Sequence, residues 1–131
     1  MSNNWYSRPV FFVTDVDKSV DFYVTQLGFK QAWRFESEGK VPVGQVNRQG
    51  CELILYSEWP DKVGKGLMFI SLDEDELNSL RVELEGRGVE VKDAHWGYHV
   101  MAIVDPDGNQ LYFPYSTPLT ATGTLIRNPS S

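Results

Sequence analysis

The feature that most limits what this chain can become is that it repeats itself. Shifting the sequence along itself by 58 residues lays Asp15 on Asp73, Asp17 on Asp75, Val24 on Val82, Gly28 on Gly86, Gly50 on Gly108 and Leu53 on Leu111. Matches that keep their order at one constant offset point to two copies of a single supersecondary unit. In a chain of 131 residues the two copies are expected to form one domain.

The pattern inside each copy gives the unit. Pro9-Val10-Phe11-Phe12-Val13 is a short β-branched and aromatic run that reads as a strand. Asp15 or Asp17 can then cap a helix whose apolar face is Val16, Val20, Phe22, Tyr23, Val24 and Leu27, with Gly28 as a left-handed stop. Extended segments over 29–36, 43–48 and 52–56 follow, separated by Glu38-Gly39-Lys40 and Gln49-Gly50, which are turn chemistry. The second copy predicts a strand over 67–72, a helix over 74–85 stopped near Gly86-Arg87-Gly88, and strands over 89–92, 98–104 and 110–115. The fold class is therefore α+β: two tandem βαβββ modules, about 8–58 and 66–115, forming a curved mixed sheet around a cavity. From Ser116 the chain turns to Ser, Thr, Gly and Pro, so 116–131 reads as a polar tail that is loosely held or docks on a partner subunit.

Charge narrows the partners. Twelve Lys and Arg against 18 Asp and Glu leave a net charge of −6, which removes the attraction to phosphate on which nucleic-acid binding depends and favours cationic small molecules. The single cysteine, Cys51, cannot form an intrachain disulfide, and it has no histidine nearby in sequence to activate it. No apolar run approaches the roughly eighteen residues of a membrane span, and the N-terminus carries no export pattern. A cytoplasmic protein with no membrane or nucleic-acid partner is the expectation.

Several strings carry a family resemblance. Val13-Thr-Asp-Val-Asp-Lys-Ser-Val-Asp-Phe-Tyr with Leu27-Gly28-Phe29, and later Trp96-Gly97 ahead of Asp105-Pro-Asp-Gly-Asn109, resemble the vicinal oxygen chelate superfamily of glyoxalases, extradiol dioxygenases and bleomycin-resistance proteins. The resemblance runs over about 8–115. It implies that metal-dependent members carry His or Glu ligands on the first and last strands of each module. Here those positions hold Arg8, Ile54, Leu67 (or Gly66 in a slipped register) and Tyr112. Leu and Ile have no lone pair, and Arg has no acceptor and repels a divalent ion.

Other constellations are weaker. His95 and His99 are the only histidines; read as one extended segment, they lie more than about 12 Å apart along the chain, too far to share an ion. Gly64-Lys65-Gly66 lacks the spacing of a phosphate loop. Aromatic residues are abundant, with four Trp, six Tyr and seven Phe. Strand alternation puts Arg8, Val10 and Phe12 on the concave face together with Gln110, Tyr112 and Pro114, while Phe11, Val13, Leu111 and Phe113 face the helices.

The resemblance is strongest to the bleomycin-resistance proteins, which implies a metal-free homodimer holding an aromatic antibiotic in crevices between subunits. The expected site is Arg8, Phe12, Trp33, Ile54, Trp96, His99 and Tyr112, with no catalytic residue, metal or cofactor, and a small aromatic molecule as partner. The alternatives are a metal-dependent lyase, isomerase or dioxygenase with shifted ligands such as Glu52 and His99, and a noncatalytic module whose cavity is filled by its own side chains.

Overall fold

Two aspartates 58 residues apart do the same work. In the computed structural model, which describes residues 5–97 and 99–115, Asp15 accepts a hydrogen bond from the Lys18 N–H at 3.1 Å and Asp73 accepts one from the Glu76 N–H at 2.9 Å. Each satisfies an amide that an α-helix start leaves without a partner. The helices they open are α1 (Val16–Thr25) and α2 (Glu74–Gly86).

Around them run β1 (Val10–Phe12), β2 (Lys30–Ser37), β3 (Lys40–Arg48), β4 (Cys51–Tyr56), β5 (Leu67–Phe69), β6 (Lys92–His95), β7 (His99–Val104) and β8 (Gln110–Pro114), with a 3-10 turn at Pro60–Lys62. The strands form two four-stranded mixed sheets, ordered β1-β4-β3-β2 and β5-β8-β7-β6. Two tandem βαβββ modules are what the repeat predicts. In the first sheet β1 and β4 are parallel, and the β2-β3 and β3-β4 pairs are antiparallel.

The repeat holds at other positions and fails at some. Leu53 and Leu111 are both fully buried, and Gly50 and Gly108 both take positive φ, at 86° and 103°. Gly28 is left-handed at φ 72°, but Gly86 is the last helical residue of α2; the left-handed stop there is Gly88, at φ 81°. This moves the following strand. The Val89 N–H closes the helix end on the Leu84 carbonyl at 3.0 Å, so Val89 is a helix cap contact and not the start of a strand over 89–92. β6 begins at Lys92 instead. β5 is also shorter than the predicted 67–72: its last rung is the Ile70 N–H on the Tyr112 carbonyl at 2.9 Å, after which the chain leaves the sheet to reach Asp73.

The described residues divide into two compact units. One comprises the chain up to Met68 together with Val104–Gln110; its core is Phe11, Val13, Val16, Tyr23, Leu53 and Leu55, with α1 lying across β3 and its neighbours. The other comprises Phe69–Ile103 and the residues from Leu111, around Leu77, Leu84, Met101, Ile103 and Leu111. The polar tail 116–131 and Tyr98 lie outside the described residues. Among those described, no helix is long and apolar enough to cross a membrane.

The Asp105-Pro-Asp-Gly-Asn109 turn belongs to the first unit, and its residues are structural. Asp105, 4% exposed, accepts from the Asp107 and Asn109 amides at 3.0 and 2.9 Å, from Asn109 Nδ2 at 3.2 Å and from the Tyr23 hydroxyl at 2.9 Å. Asn109, fully buried, accepts from the Gly66 N–H at 2.8 Å and donates to the Phe12 carbonyl at 3.1 Å. Asp107 accepts from the Thr14 amide and hydroxyl at 3.2 and 2.8 Å. Burial pushes the Asp105 carboxyl up despite these donors, and burial followed by the charge of Asp105 pushes the Tyr23 phenol well up.

Candidate functional site: the open face of the first sheet

Register decides which side chains share a face. β4 alternates: Leu53 and Leu55 are buried, while Glu52, Ile54 and Tyr56 point to the side away from the core. Across the ladder Ile54 stands opposite Val10 on one side and Gln45 on the other, and Gln45 stands opposite Trp33. The next row is Phe12, Tyr56, Val43 and Phe35. Trp33 and Phe35 remain 39% and 55% exposed, so this face carries large aromatic residues without covering them.

Gln45 is the polar centre of the face, 3% exposed. Its Oε1 accepts from Arg8 at 2.9 Å and from the Trp33 indole at 3.2 Å; its Nε2 donates to Asn47 Oδ1 at 2.9 Å and to Glu52 Oε1 at 3.1 Å. Those four bonds use the full capacity of a carboxamide and fix which end faces which neighbour. The Tyr6 hydroxyl also donates to Glu52, which pushes the Tyr6 phenol up, and the Arg8 guanidinium lies 5.3 Å from the centre of the Tyr6 ring. Sequence reasoning missed Gln45 because its partners come from residues far apart in the chain.

Phe12 opens a second cluster on the same unit. Its ring meets Tyr56 edge-on at 6.0 Å and Trp59 edge-on at 5.7 Å, and Lys62 Nζ sits 4.1 Å above the Trp59 ring. Trp59 and Lys62 come from the 3-10 turn, where Pro60 at the first position favours the tight geometry.

In the second unit Tyr112 and Trp96 meet through Phe69, with ring centres 5.6 and 4.8 Å from it. His99 lies elsewhere. Its ring stacks on Tyr115 at 4.2 Å, and Tyr115 continues the side of β8 that holds the buried Leu111 and Phe113, opposite Tyr112. There His99 Nε2 is 2.9 Å from Asp93 Oδ1, and Arg81 of α2 clamps Asp93 with two bonds of 2.9 and 3.0 Å. Arg81 above all, then His99, holds the Asp93 carboxyl well below the usual carboxylate range. Of the expected site residues, Arg8, Trp33 and Ile54 thus share a face with Phe12 in the adjoining row, Trp96 and Tyr112 form one aromatic cluster, and His99 is turned from it.

The sequence matches the Glyoxalase/Bleomycin resistance protein/Dioxygenase superfamily over residues 5–113. The chain belongs to that superfamily. Among solved structures it is similar to TnmS3, an antibiotic-binding protein from Streptomyces sp. CB03234, at 24% identity and TM-score 0.68 over 89% of this chain and 100% of that one. It is also similar to the bleomycin-binding protein of Streptomyces verticillus, solved with copper(II)-bleomycin, at 21% identity and TM-score 0.69 over 89% and 100% of the two chains. A lactoylglutathione lyase from Agrobacterium tumefaciens matches at 17% identity and TM-score 0.64, over 88% and 96%. These likenesses establish the fold. No match is found among curated proteins.

The superfamily's metal chemistry does not fit the side chains at the corresponding positions. Arg8 is a cation committed to Gln45 and Tyr6, Ile54 lies between Val10 and Gln45 in the sheet, Leu67 is an exposed hydrocarbon, and Tyr112 is packed on Phe69. Glu52, the nearest substitute donor in the first unit, spends one oxygen on Tyr6 and Gln45. Among the described residues no three His, Cys, Asp or Glu side chains converge as a metal site. Burial, and to a lesser degree the charge of Glu52, pushes the Cys51 thiol up, the opposite of what a nucleophile needs.

Proposed function

We propose that this chain is a metal-independent binding protein that sequesters a flat aromatic, cationic small molecule of the antibiotic type. The observation that carries the reading is the open face of the first sheet: Trp33 and Phe35 are left uncovered around a fully satisfied polar centre, and Arg8 and Ile54 stand on that face where metal-dependent relatives need donors. Trp33, Phe35 and Phe12 offer rings, each worth about 0.5–1.5 kcal/mol per well-placed stacking pair beyond area burial. Glu52 and the net charge of −6 favour a cationic partner. Antibiotic binding by TnmS3 and bleomycin binding by the Streptomyces verticillus protein support the same class of ligand. A metal-dependent lyase, isomerase or dioxygenase is the second reading, supported by the likeness to a lactoylglutathione lyase and opposed by the donor set.

The reading includes a homodimer, in which a second copy covers strand edges that one chain leaves unpaired. The test is a tryptophan-fluorescence titration with metal-free bleomycin and a panel of flat aromatic cations, in buffer containing EDTA. Saturable binding that weakens at least about tenfold, or 1.4 kcal/mol, in Trp33→Ala is expected. Binding that appears only when a divalent metal is restored would overturn metal independence. Unchanged affinity in both Trp33→Ala and Phe35→Ala would remove the site.

A further inference from the structure

His95 and His99 are not strung along one strand. They are the last residue of β6 and the first of β7, paired directly across the hairpin, with ring centres 5.8 Å apart and planes tilted by 42°. The separation of more than about 12 Å expected from strand rise is overturned because the chain reverses between them, at Trp96-Gly97, where Gly97 takes φ 73°. Two imidazoles sharing one ion through nitrogen–metal bonds of about 2.1 Å place their ring centres about 4.5–6 Å apart, depending on the angle at the metal. The observed spacing falls in that range.

The surroundings of His99 add a second, independent reason. Its Nε2 faces Asp93 Oδ1 at 2.9 Å, and a carboxylate only accepts, so Nε2 is the donor of this bond and Nδ1 is the nitrogen left to a metal ion, which displaces any proton there. A histidine that ligates metal through one nitrogen typically donates the other N–H to a carboxylate, which fixes the ring and raises its basicity. Here the carboxylate is itself held by two bonds from Arg81, and the His99 ring lies flat on Tyr115. His99 is therefore oriented on two sides before any ligand arrives. His95 is exposed and can adjust.

We propose that this hairpin is a two-histidine site for a divalent transition-metal ion, taken most strongly as Cu(II), with Asp93 as the positioning residue for His99. Imidazole nitrogen suits copper, nickel and zinc, and copper heads the affinity order among divalent first-row ions. With no third His, Cys, Asp or Glu joining the pair among the described residues, the ion keeps positions open to water or to a donor from elsewhere. The site belongs to the second unit and uses none of the residues on which the proposed small-molecule binding rests, so it makes no claim on that function.

The experiment is a Cu(II) titration of the untagged full chain, read by calorimetry and by electron paramagnetic resonance. These are the only two histidines in the chain, so each variant leaves one imidazole. One ion is expected to bind with coupling to two imidazole nitrogens. His95→Ala and His99→Ala should each remove one nitrogen coupling and weaken binding, and Asp93→Asn should keep both couplings while weakening binding about tenfold. Because His95 is exposed, its variant tests the site without disturbing the fold, and broadening of amide resonances by Cu(II) should centre on residues 92–99. Absence of saturable binding, unchanged binding in His95→Ala, or broadening centred elsewhere would overturn the site; unchanged affinity in Asp93→Asn would overturn the positioning role.

Discussion

Replacing Asp105 by Ala separates the two aspartates of the Asp-Pro-Asp-Gly turn by what each holds. Asp105→Ala removes the acceptor of four donors, and one of them, the Tyr23 hydroxyl, belongs to a side chain with no exposed surface. A buried donor left without a partner costs about 1–3 kcal/mol, and the Tyr23 hydroxyl and Asn109 amide are both in that position. Release of a carboxylate that burial disfavours returns part of this. A net loss of about 3 kcal/mol is expected, a large share of the stability of a small domain. Asp107→Ala loses only bonds to exposed Thr14 and should cost under about 1 kcal/mol. Urea denaturation at pH 7 measures both, and Tyr23→Phe completes a double-mutant cycle in which the Tyr23–Asp105 coupling should be about 1–2 kcal/mol. The pH dependence carries a sign. The folded Asp105 carboxyl is raised above its unfolded value of about 3.9, so on acidification the folded chain takes up this proton first. The contribution of this carboxyl to stability grows as pH falls through the folded value, and the gain is complete below the unfolded one. The deficit of Asp105→Ala should therefore widen toward acid. Equal costs for the two aspartates, or a deficit that narrows on acidification, would refute the reasoning.

Two further outcomes follow from the same geometry. Gln45→Leu deletes four hydrogen bonds whose partners partly rehydrate, and should lose about 2 kcal/mol in urea denaturation while shifting Trp33 emission. Gly66→Ala would set a methyl 2.5 and 2.7 Å from carbons of the buried Phe11 ring and 2.9 Å from Asn109 Oδ1, so a loss of about 1–3 kcal/mol is expected, with no loss meaning that the Phe11 ring has room to move.

The architecture was legible because its signals are local. Asp15 and Asp73 are caps recognisable by type, Gly39 and Gly50 mark hairpin turns, and period-two burial along β4 and β8 follows the apolar pattern. The errors came where an element is defined by something distant or by a competing local bond. Lys92-Asp93-Ala94-His95 has no strand-like composition and is a strand because it pairs with β7. Val89 looks like a strand residue and is spent on closing α2. The candidate site divides in the same way. Arg8 and Ile54 stand at positions the family resemblance points to and Trp33 is conspicuous as an aromatic residue, whereas a single glutamine in Val43-Gly-Gln-Val46 carries no mark of the four partners it meets. The facing of His99 is set by its pairing with His95 across the β6-β7 hairpin, which spacing along the chain does not reveal.

The first unit includes Val104–Gln110, so it is complete only when residues from late in the chain have joined it. The Phe12 carbonyl, the Gly66 amide and the Tyr23 hydroxyl wait for Asn109 and Asp105, up to 97 residues further along. Such closures have a high entropic cost relative to hairpins, and contacts of this separation slow folding. A ribosome releasing the chain from its N-terminus delivers the opening module long before the residues that seal it. A chain ending after the first βαβββ copy would lack the residues that seal the Phe12 carbonyl and the Tyr23 hydroxyl and would leave both to water, so the first copy alone is not the closed unit seen here.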